Sequence, residues 1–149
     1  MSALIVPERR RCRAESQLWR IPARGTAAGL VRSRLRLQLT LWQLTELAPD
    51  LALVASELVS NSVRHGAPPI WCNLHLTTRA DGVEFLRLIV ADCGPGFDAM
   101  AADASWRRTA PLGREHGRGL LLVDHLADAW GTLRVEPFQL AWADLVTVR

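Results

Sequence analysis

The chain has 149 residues and a formal net charge of +3, with 49% hydrophobic and 22% charged residues. These proportions fit one globular domain with a sizeable core and exclude a disordered chain. All 18 residues of the combined lysine and arginine count are arginines, and tyrosine is absent. The chain therefore cannot form a lysine-containing P-loop, the lysine-dependent site of eukaryotic-type protein kinases, a lysine Schiff base or a tyrosine nucleophile.

Residues 1–16 are predicted to form a basic, flexible arm, and residues 17–149 to form the globular domain. The arm contains Arg9, Arg10, Arg11 and Arg13, and past this cluster the chain is close to neutral. Such an arm is either a solvated tail or a nucleic-acid-binding element, and in the second case its affinity would fall steeply with salt. We expect a solvated tail and no direct contact with nucleic acid.

Cysteine and histidine positions argue against a disulfide framework or a zinc site. The cysteines Cys12, Cys72 and Cys93 form no C-x-x-C pair, and the four histidines lack zinc-binding spacing. No apolar run is long enough to span a membrane, and arginines interrupt the region where a signal peptide would be apolar. We therefore expect a cytoplasmic protein without a membrane partner.

The first half of the domain is predicted to be mainly helical. A short strand at residues 18–21 precedes a helix at 26–44, where apolar residues recur at helical spacing. A second helix begins at Pro49, which suits a first helical position, and ends at Gly66 before two prolines.

The second half is predicted to be mainly sheet. Strands are expected at residues 70–77, 84–91, 132–136 and 140–148, and the second of these is nearly all apolar, as a central strand would be. Segregated helices and strands predict an α+β fold, a two-layer α/β sandwich in which three helices cover a mixed, mostly antiparallel sheet.

One connection is much longer than the others. The polar stretch at residues 92–118 exceeds an ordinary loop and is expected to be functional. A third helix is predicted to follow it, from about Gly119 to Trp130, with Gly131 as its stop.

Two polar motifs lie on the second predicted helix and at the end of the strand at residues 84–91. Glu57 and Asn61 are four residues apart on the second helix, so they leave one face a turn apart and could hold hydrated Mg²⁺ and a reacting water or hydroxyl. Asp92 ends a buried strand and could accept a hydrogen bond from a ligand's amino group, with Gly94 and Gly96 allowing close approach. Taken alone, the first motif is better explained as a polar helix flank and the second as an ordinary loop after a strand.

A third motif opens the third predicted helix. Gly117 and Gly119 form a Gly-x-Gly there, and unobstructed amides at a helix start bind phosphate well. The G-x-G-x-x-G signature of dinucleotide-binding folds is not completed, since Leu122 occupies its last place.

Taken together and in this order, the three motifs resemble the N, G1 and G2 boxes of the GHKL ATPase superfamily, which includes DNA gyrase, histidine kinases and anti-sigma-factor kinases. The stretches E-L-V-S-N-S-V-R-H-G, D-C-G-P-G-F and G-R-G-L-L-L-V, together with Trp142, are most similar to the stand-alone bacterial anti-sigma-factor serine/threonine kinases. The resemblance covers residues 17–148 and implies a histidine-kinase-like ATP-binding domain.

The resemblance implies a site for ATP and Mg²⁺. Glu57 would be the general base, Asn61 the Mg²⁺ ligand and Asp92 the partner of the adenine amino group. The segment 98–116 would be the ATP lid. The residues implied to shape the adenine pocket or to meet the phosphates are Gly94, Gly96, Gly117, Arg118, Gly119 and Leu120. Arg114 and Arg118 are the nearest cations to the γ-phosphate, and the motif does not fix which of them meets it.

Two segments depart from the family pattern. Residues 136–140 replace a turn that usually contains glycine, and the lid carries Trp106, Arg107 and Arg108 without a second Gly-x-Gly. The geometry of that turn and the phosphate contacts of the lid are therefore open.

The implied function is an ATP-binding regulatory protein that phosphorylates an anti-anti-sigma partner on Ser or Thr, or sequesters a sigma factor, and a homodimer is expected by resemblance alone. Whether the chain is an enzyme stays open at this point. One alternative is a non-catalytic module in which ATP shapes a partner-binding surface. The other is the catalytic domain of a split histidine kinase.

Overall fold

The computed structural model describes residues 10–95 and 115–148, with the backbone alone for residues 115–119. Three helices and six strands make up this part of the chain. In chain order they are β1 (Arg11–Glu15), β2 (Trp19–Ile21), α1 (Ala27–Leu41), α2 (Ala48–His65), β3 (Ile70–Thr78), β4 (Glu84–Asp92), α3 (Glu115–Leu126), β5 (Ala129–Val135) and β6 (Phe138–Val146), with a 3-10 turn at Thr45–Leu47 before α2.

The strands form one sheet in the order β1-β3-β4-β6-β5, and β2 also pairs with β3. Every pairing among the described strands is antiparallel, whereas the sequence analysis expects a mixed sheet. For the β3–β4 and β5–β6 pairings the physical reason is the short connection, since strands joined by a tight turn pair antiparallel.

The edge of the sheet begins earlier than the pattern predicts. β1 lies inside residues 1–16, the predicted arm, and pairs with β3 from Arg11 opposite Thr78 to Glu15 opposite His75. Four of its five residues are exposed, so this strand has almost no apolar alternation by which to recognise it. Its pairing depends on backbone hydrogen bonds to β3, which the local sequence does not reveal.

The helices pack on one face of the sheet and enclose the main core. α1 buries Ala27, Val31, Leu35 and Leu39, a regular four-residue stripe, and α2 buries a wider face that includes Leu51, Val54 and Leu58. Val123 of α3 joins the same cluster. The predicted two-layer α+β sandwich with three helices is confirmed, and no helix in the described ranges has the length and apolarity needed to cross a membrane.

The third helix and the strand after it are displaced from their predicted positions. α3 ends at Leu126, so the predicted end at Trp130 is wrong, and both Trp130 and Gly131 belong to β5. Gly131 faces Trp142 across the β5–β6 ladder, where an added Cβ would lie 3.0 Å from the indole ring. This glycine therefore permits close packing of the indole and does not stop a helix.

The other face of the sheet carries a buried ion pair. Arg87 donates from Nε and Nη2 to the two carboxylate oxygens of Asp144, each at 2.7 Å, across the β4–β6 ladder. The guanidinium also lies 4.4 Å from the ring centroid of Trp142. Arg87 is the polar interruption of an otherwise apolar strand, and its bidentate partner explains why that strand tolerates it.

Candidate functional site

The polar end of α2 places a buried amide against the sheet. Asn61 follows Leu58 on the helix face that points inward, and its side chain is only 6% exposed. Its Oδ1 atom is fully enclosed and receives no hydrogen bond in the described structure. A buried acceptor without a donor costs about 1–3 kcal/mol, so such an atom marks a place where a ligand completes the structure.

Asp92 faces the same region from the end of β4 and is also 6% exposed. Its Oδ1 accepts the backbone N–H of Gly94 at 2.7 Å, which orients the carboxylate within the turn that leaves the strand. Oδ2 accepts no hydrogen bond from the described residues, so one carboxylate oxygen is left for a ligand donor.

Two glycines allow α2 and the turn after β4 to touch. A Cβ added to Gly66 would lie 2.4 Å from Cγ of Asp92, and a Cβ added to Gly94 would lie 2.5 Å from Cα of Gly66. The backbone N–H of Cys93 also donates to the carbonyl of Ala67 at 2.8 Å. Any larger side chain at residue 66 or 94 would separate the carboxylate from the helix.

These contacts form a pocket between the end of α2 and strands β4, β5 and β6. Its lining residues are Leu58, Asn61, Ser62, His65, Gly66, Asp92, Thr132, Gln139 and Ala141. The structure therefore brings Asn61 and Asp92 to one cavity, as expected, although the whole of β3 and most of β4 lie between them along the chain.

Sequence reasoning missed two polar lining residues. Thr132 and Gln139 are 8% and 9% exposed, and their side chains make no hydrogen bond within the described residues. Gln139 is the register partner of Asp92, and Thr132 is that of Ala141. Nothing in the local pattern marks them, because strand register alone places them beside the carboxylate.

The other predicted site residues are distributed differently. Glu57 lies one turn before Asn61 on α2, is partly exposed, and is not among the lining residues. Leu120 is 3% exposed and also lies outside the pocket lining. Gly96 and most of the proposed lid fall outside the described residues.

The glycine motif of the third helix lies within α3 and not at its opening. Within the described residues the helix spans Glu115–Leu126, so Gly117, Arg118 and Gly119 all lie inside it. The predicted start at about Gly119 is therefore too late.

A cation borders the pocket on the β5 side. Arg134 donates from Nη1 to the carbonyl oxygen of Gly94 at 2.6 Å and from Nε to Glu136 at 2.9 Å. The hydrogen bond from Arg134 holds the pKa of the Glu136 carboxyl below its ordinary value, and the same bond raises the pKa of Arg134. Both groups are therefore charged at neutral pH.

Comparison with known proteins agrees with this geometry. Residues 21–136 match the family model of the histidine kinase-like ATPase domain, and this segment contains both Asn61 and Asp92. The chain belongs to this family. The family prediction made from the three sequence motifs is thereby confirmed, and the antiparallel sheet with three helices is the framework of this histidine kinase-like ATPase domain.

A solved structure supports the fold independently. The histidine kinase-like domain superposes on the crystal structure of the RsbU and RsbW domains of Rv1364c from Mycobacterium tuberculosis with a TM-score of 0.52 and 18% identity. The match covers 88% of this chain and 32% of that chain, so it compares one domain with part of a larger protein. A search of curated protein sequences found no significant match.

Proposed function

We propose that this histidine kinase-like domain binds Mg·ATP in the pocket between α2 and the β4–β6 strands, as part of a regulatory protein of the anti-sigma-factor kinase type. The observation that carries the proposal is the enclosed, unpartnered Oδ1 of Asn61 in the same cavity as the Asp92 carboxylate. The motif wording that resembles anti-sigma-factor kinases, and the likeness to a structure that includes an RsbW domain, support the choice of branch.

The base end of the nucleotide is assigned to Asp92. An ionised carboxylate only accepts hydrogen bonds, so its free Oδ2 suits an exocyclic amino group. Gly94 would lie under the base, and Gly96, outside the described residues, is proposed to contribute to the same pocket. Gln139 and Thr132 are close enough along the strand register to complete the polar edge of the base pocket.

The phosphate end is assigned to Asn61 and the start of α3. The amide oxygen of Asn61 is a hard ligand of the kind Mg²⁺ prefers, and its orphaned position fits that role. The ion would supply neutralisation of phosphate charge. Glu57 is proposed as the general base, and Gly117, Arg118, Gly119 and Leu120 as the segment that meets the phosphates.

The binding proposal is tested by calorimetric titration of Mg·ATP into the purified chain and into Asn61→Ala and Asp92→Asn variants. We expect both changes to weaken binding at least tenfold, since each removes an interaction with a charged group. Asn73→Ala is the matched control, because Asn73 is an equally buried asparagine of the other sheet face. Unchanged affinity in both site variants would contradict the proposed pocket.

The regulatory proposal is tested by capturing protein partners with and without Mg·ATP and then measuring phosphoryl transfer to them. Transfer to Ser or Thr of a small anti-anti-sigma protein, abolished by Glu57→Ala, is the expected result. Nucleotide-dependent recovery of a sigma factor would support sequestration.

A second candidate is a non-catalytic module whose partner surface depends on bound ATP. It is favoured by one observation, the position of Glu57 outside the residues that line the pocket. The two functions differ in γ-phosphate consumption with the captured partner present. Partner binding that requires Mg·ATP but leaves it intact would select the module over the kinase.

A further inference from the structure

Arg134 of β5 connects two turns beside the proposed base pocket. Its Nη1 donates to the carbonyl of Gly94 at 2.6 Å, a contact between residues far apart in the chain. Its Nε and Nη2 donate to the two carboxylate oxygens of Glu136, at 2.9 and 3.4 Å. The guanidinium is thus fixed by a bidentate partner at the β5–β6 turn while it holds the turn after β4.

The Gly94 peptide is held from both sides. Its N–H donates to Oδ1 of Asp92 at 2.7 Å, and its carbonyl accepts from Arg134. Movement toward α2 is blocked, because Gly94 already packs against the backbone of Gly66. Arg134 therefore adds a third restraint to this turn, and through it to the Asp92 carboxylate.

Electrostatic attraction to Asp92 supports the same role for Arg134. The hydrogen bond to Glu136 is the main reason that the pKa of Arg134 is raised, and attraction to the Asp92 carboxylate adds to it. This attraction acts together with the hydrogen bond to the carbonyl of Gly94 in holding Arg134 beside Asp92. An ionised carboxylate accepts from an amino group but cannot donate to a carbonyl group.

We propose that Arg134 is a positioning residue for base selection, which holds the Gly94 turn so that Asp92 presents its free oxygen as an acceptor to an amino-bearing purine. This inference rests on the proposed nucleotide pocket and adds the residue that sets its discrimination. Arg134 acts through Gly94 and Asp92 and need not touch the base.

The test is the ratio of affinities for ATP and ITP, because inosine carries a carbonyl where adenosine carries the amino group. Titration calorimetry with Mg²⁺ present is performed on the unmodified chain and on the Arg134→Leu, Arg134→Lys and Asp92→Asn variants. We expect the unmodified chain to prefer ATP, and Arg134→Leu to reduce that preference roughly fivefold to tenfold by weakening ATP binding while ITP binding is retained.

Two comparisons separate positioning from general damage. Arg134→Lys keeps the charge but not the planar fork and is expected to recover part of the preference. Arg79→Leu removes a similar exposed pair, with Asp81, at the opposite end of the sheet and is expected to leave the ratio unchanged. In the Asp92→Asn background, Arg134→Leu should cause no further loss, because both changes act on one interaction.

The outcomes are distinct. An Arg134→Leu variant that keeps the full ATP preference, or that loses ATP and ITP affinity equally, overturns the positioning role while leaving the pocket intact. An unmodified chain that binds neither nucleotide, or an Asp92→Asn variant with an unchanged ratio, overturns the proposed pocket and the inference with it.

Discussion

At the scale of single residues, Asn61 is expected to matter for ligand binding and much less for folding. Its enclosed Oδ1 has no partner in the described structure, so Asn61→Ala loses no hydrogen bond at that atom. Without nucleotide, we expect the free energy of unfolding of the variant to lie within about 1 kcal/mol of that of the unmodified chain. An acceptor without a donor contributes nothing favourable to the folded state. Urea denaturation measures this difference, and a much larger destabilisation would show that Asn61 is a structural residue.

Cys72 provides a second prediction at this scale. Burial raises the pKa of its thiol to about 12, whereas Cys12 is exposed and Cys93 partly so. The thiolate is the reactive form, so iodoacetamide at pH 8 should label Cys12 and Cys93 in the folded protein and reach Cys72 only after denaturation. Mass spectrometry of the alkylated chain counts the modified sites.

The same thiol predicts a pH dependence of stability. Its folded pKa lies above the unfolded value near 9, so the buried neutral thiol contributes its full stability below pH 9. That contribution is lost progressively between pH 9 and 12, and Cys72→Ala should flatten this limb of the profile. An identical alkaline limb in the variant would contradict the assignment.

At the scale of elements, the contact between α2 and the turn after β4 requires glycine at residue 66. In Gly66→Ala the new Cβ would meet the Asp92 carboxylate at 2.4 Å, so the helix end or the turn must shift. We expect a loss of about 1–3 kcal/mol in unfolding free energy and a weaker affinity for Mg·ATP. Gly25→Ala is the matched control, because no atom lies within 4 Å of its added Cβ. Equal behaviour of the two variants would show that the close approach is unimportant.

The ladder between β4 and β6 depends on its buried ion pair. The side chains of Arg87 and Asp144 are 12% and 9% exposed, so Asp144→Ala leaves a guanidinium largely out of water without its bidentate partner. We expect a loss of about 3 kcal/mol in urea denaturation. Asp81→Ala, which removes a solvent-exposed pair with Arg79, should cost much less, because water screens that pair. Equal losses of stability in Asp144→Ala and Asp81→Ala would contradict a stabilising role for the buried pair.

At the scale of the whole molecule, ligand binding should be visible as stability. A ligand that binds only the folded state stabilises it by about 2.7 kcal/mol at a concentration of one hundred times its Kd. We therefore expect thermal unfolding to shift upward with saturating Mg·ATP and to lose most of that shift when EDTA removes the metal. The Asn61→Ala variant should show no EDTA-dependent difference.

Particular residues show how far local pattern reaches. The stripe of Ala27, Val31, Leu35 and Leu39 predicts α1, because helical spacing is a local property. The motifs around Asn61 and Asp92 predict the pocket, because short motifs are local too. β1 and the ends of α3 are misjudged, since an exposed edge strand and a helix-to-strand transition are decided by pairing partners elsewhere in the chain.

The sequence by itself determined the fold class, because hydrophobic periodicity is a local property. Through the resemblance of its three motifs to known family boxes, it also indicated the family and a shared site for Asn61 and Asp92. Only the tertiary structure decided that Gln139 and Thr132 line the same pocket and that Arg134 holds the Gly94 turn. These placements follow from strand register and from the approach of α2 to β4. Both are set by packing between segments that are distant in the chain, and no local pattern carries that information.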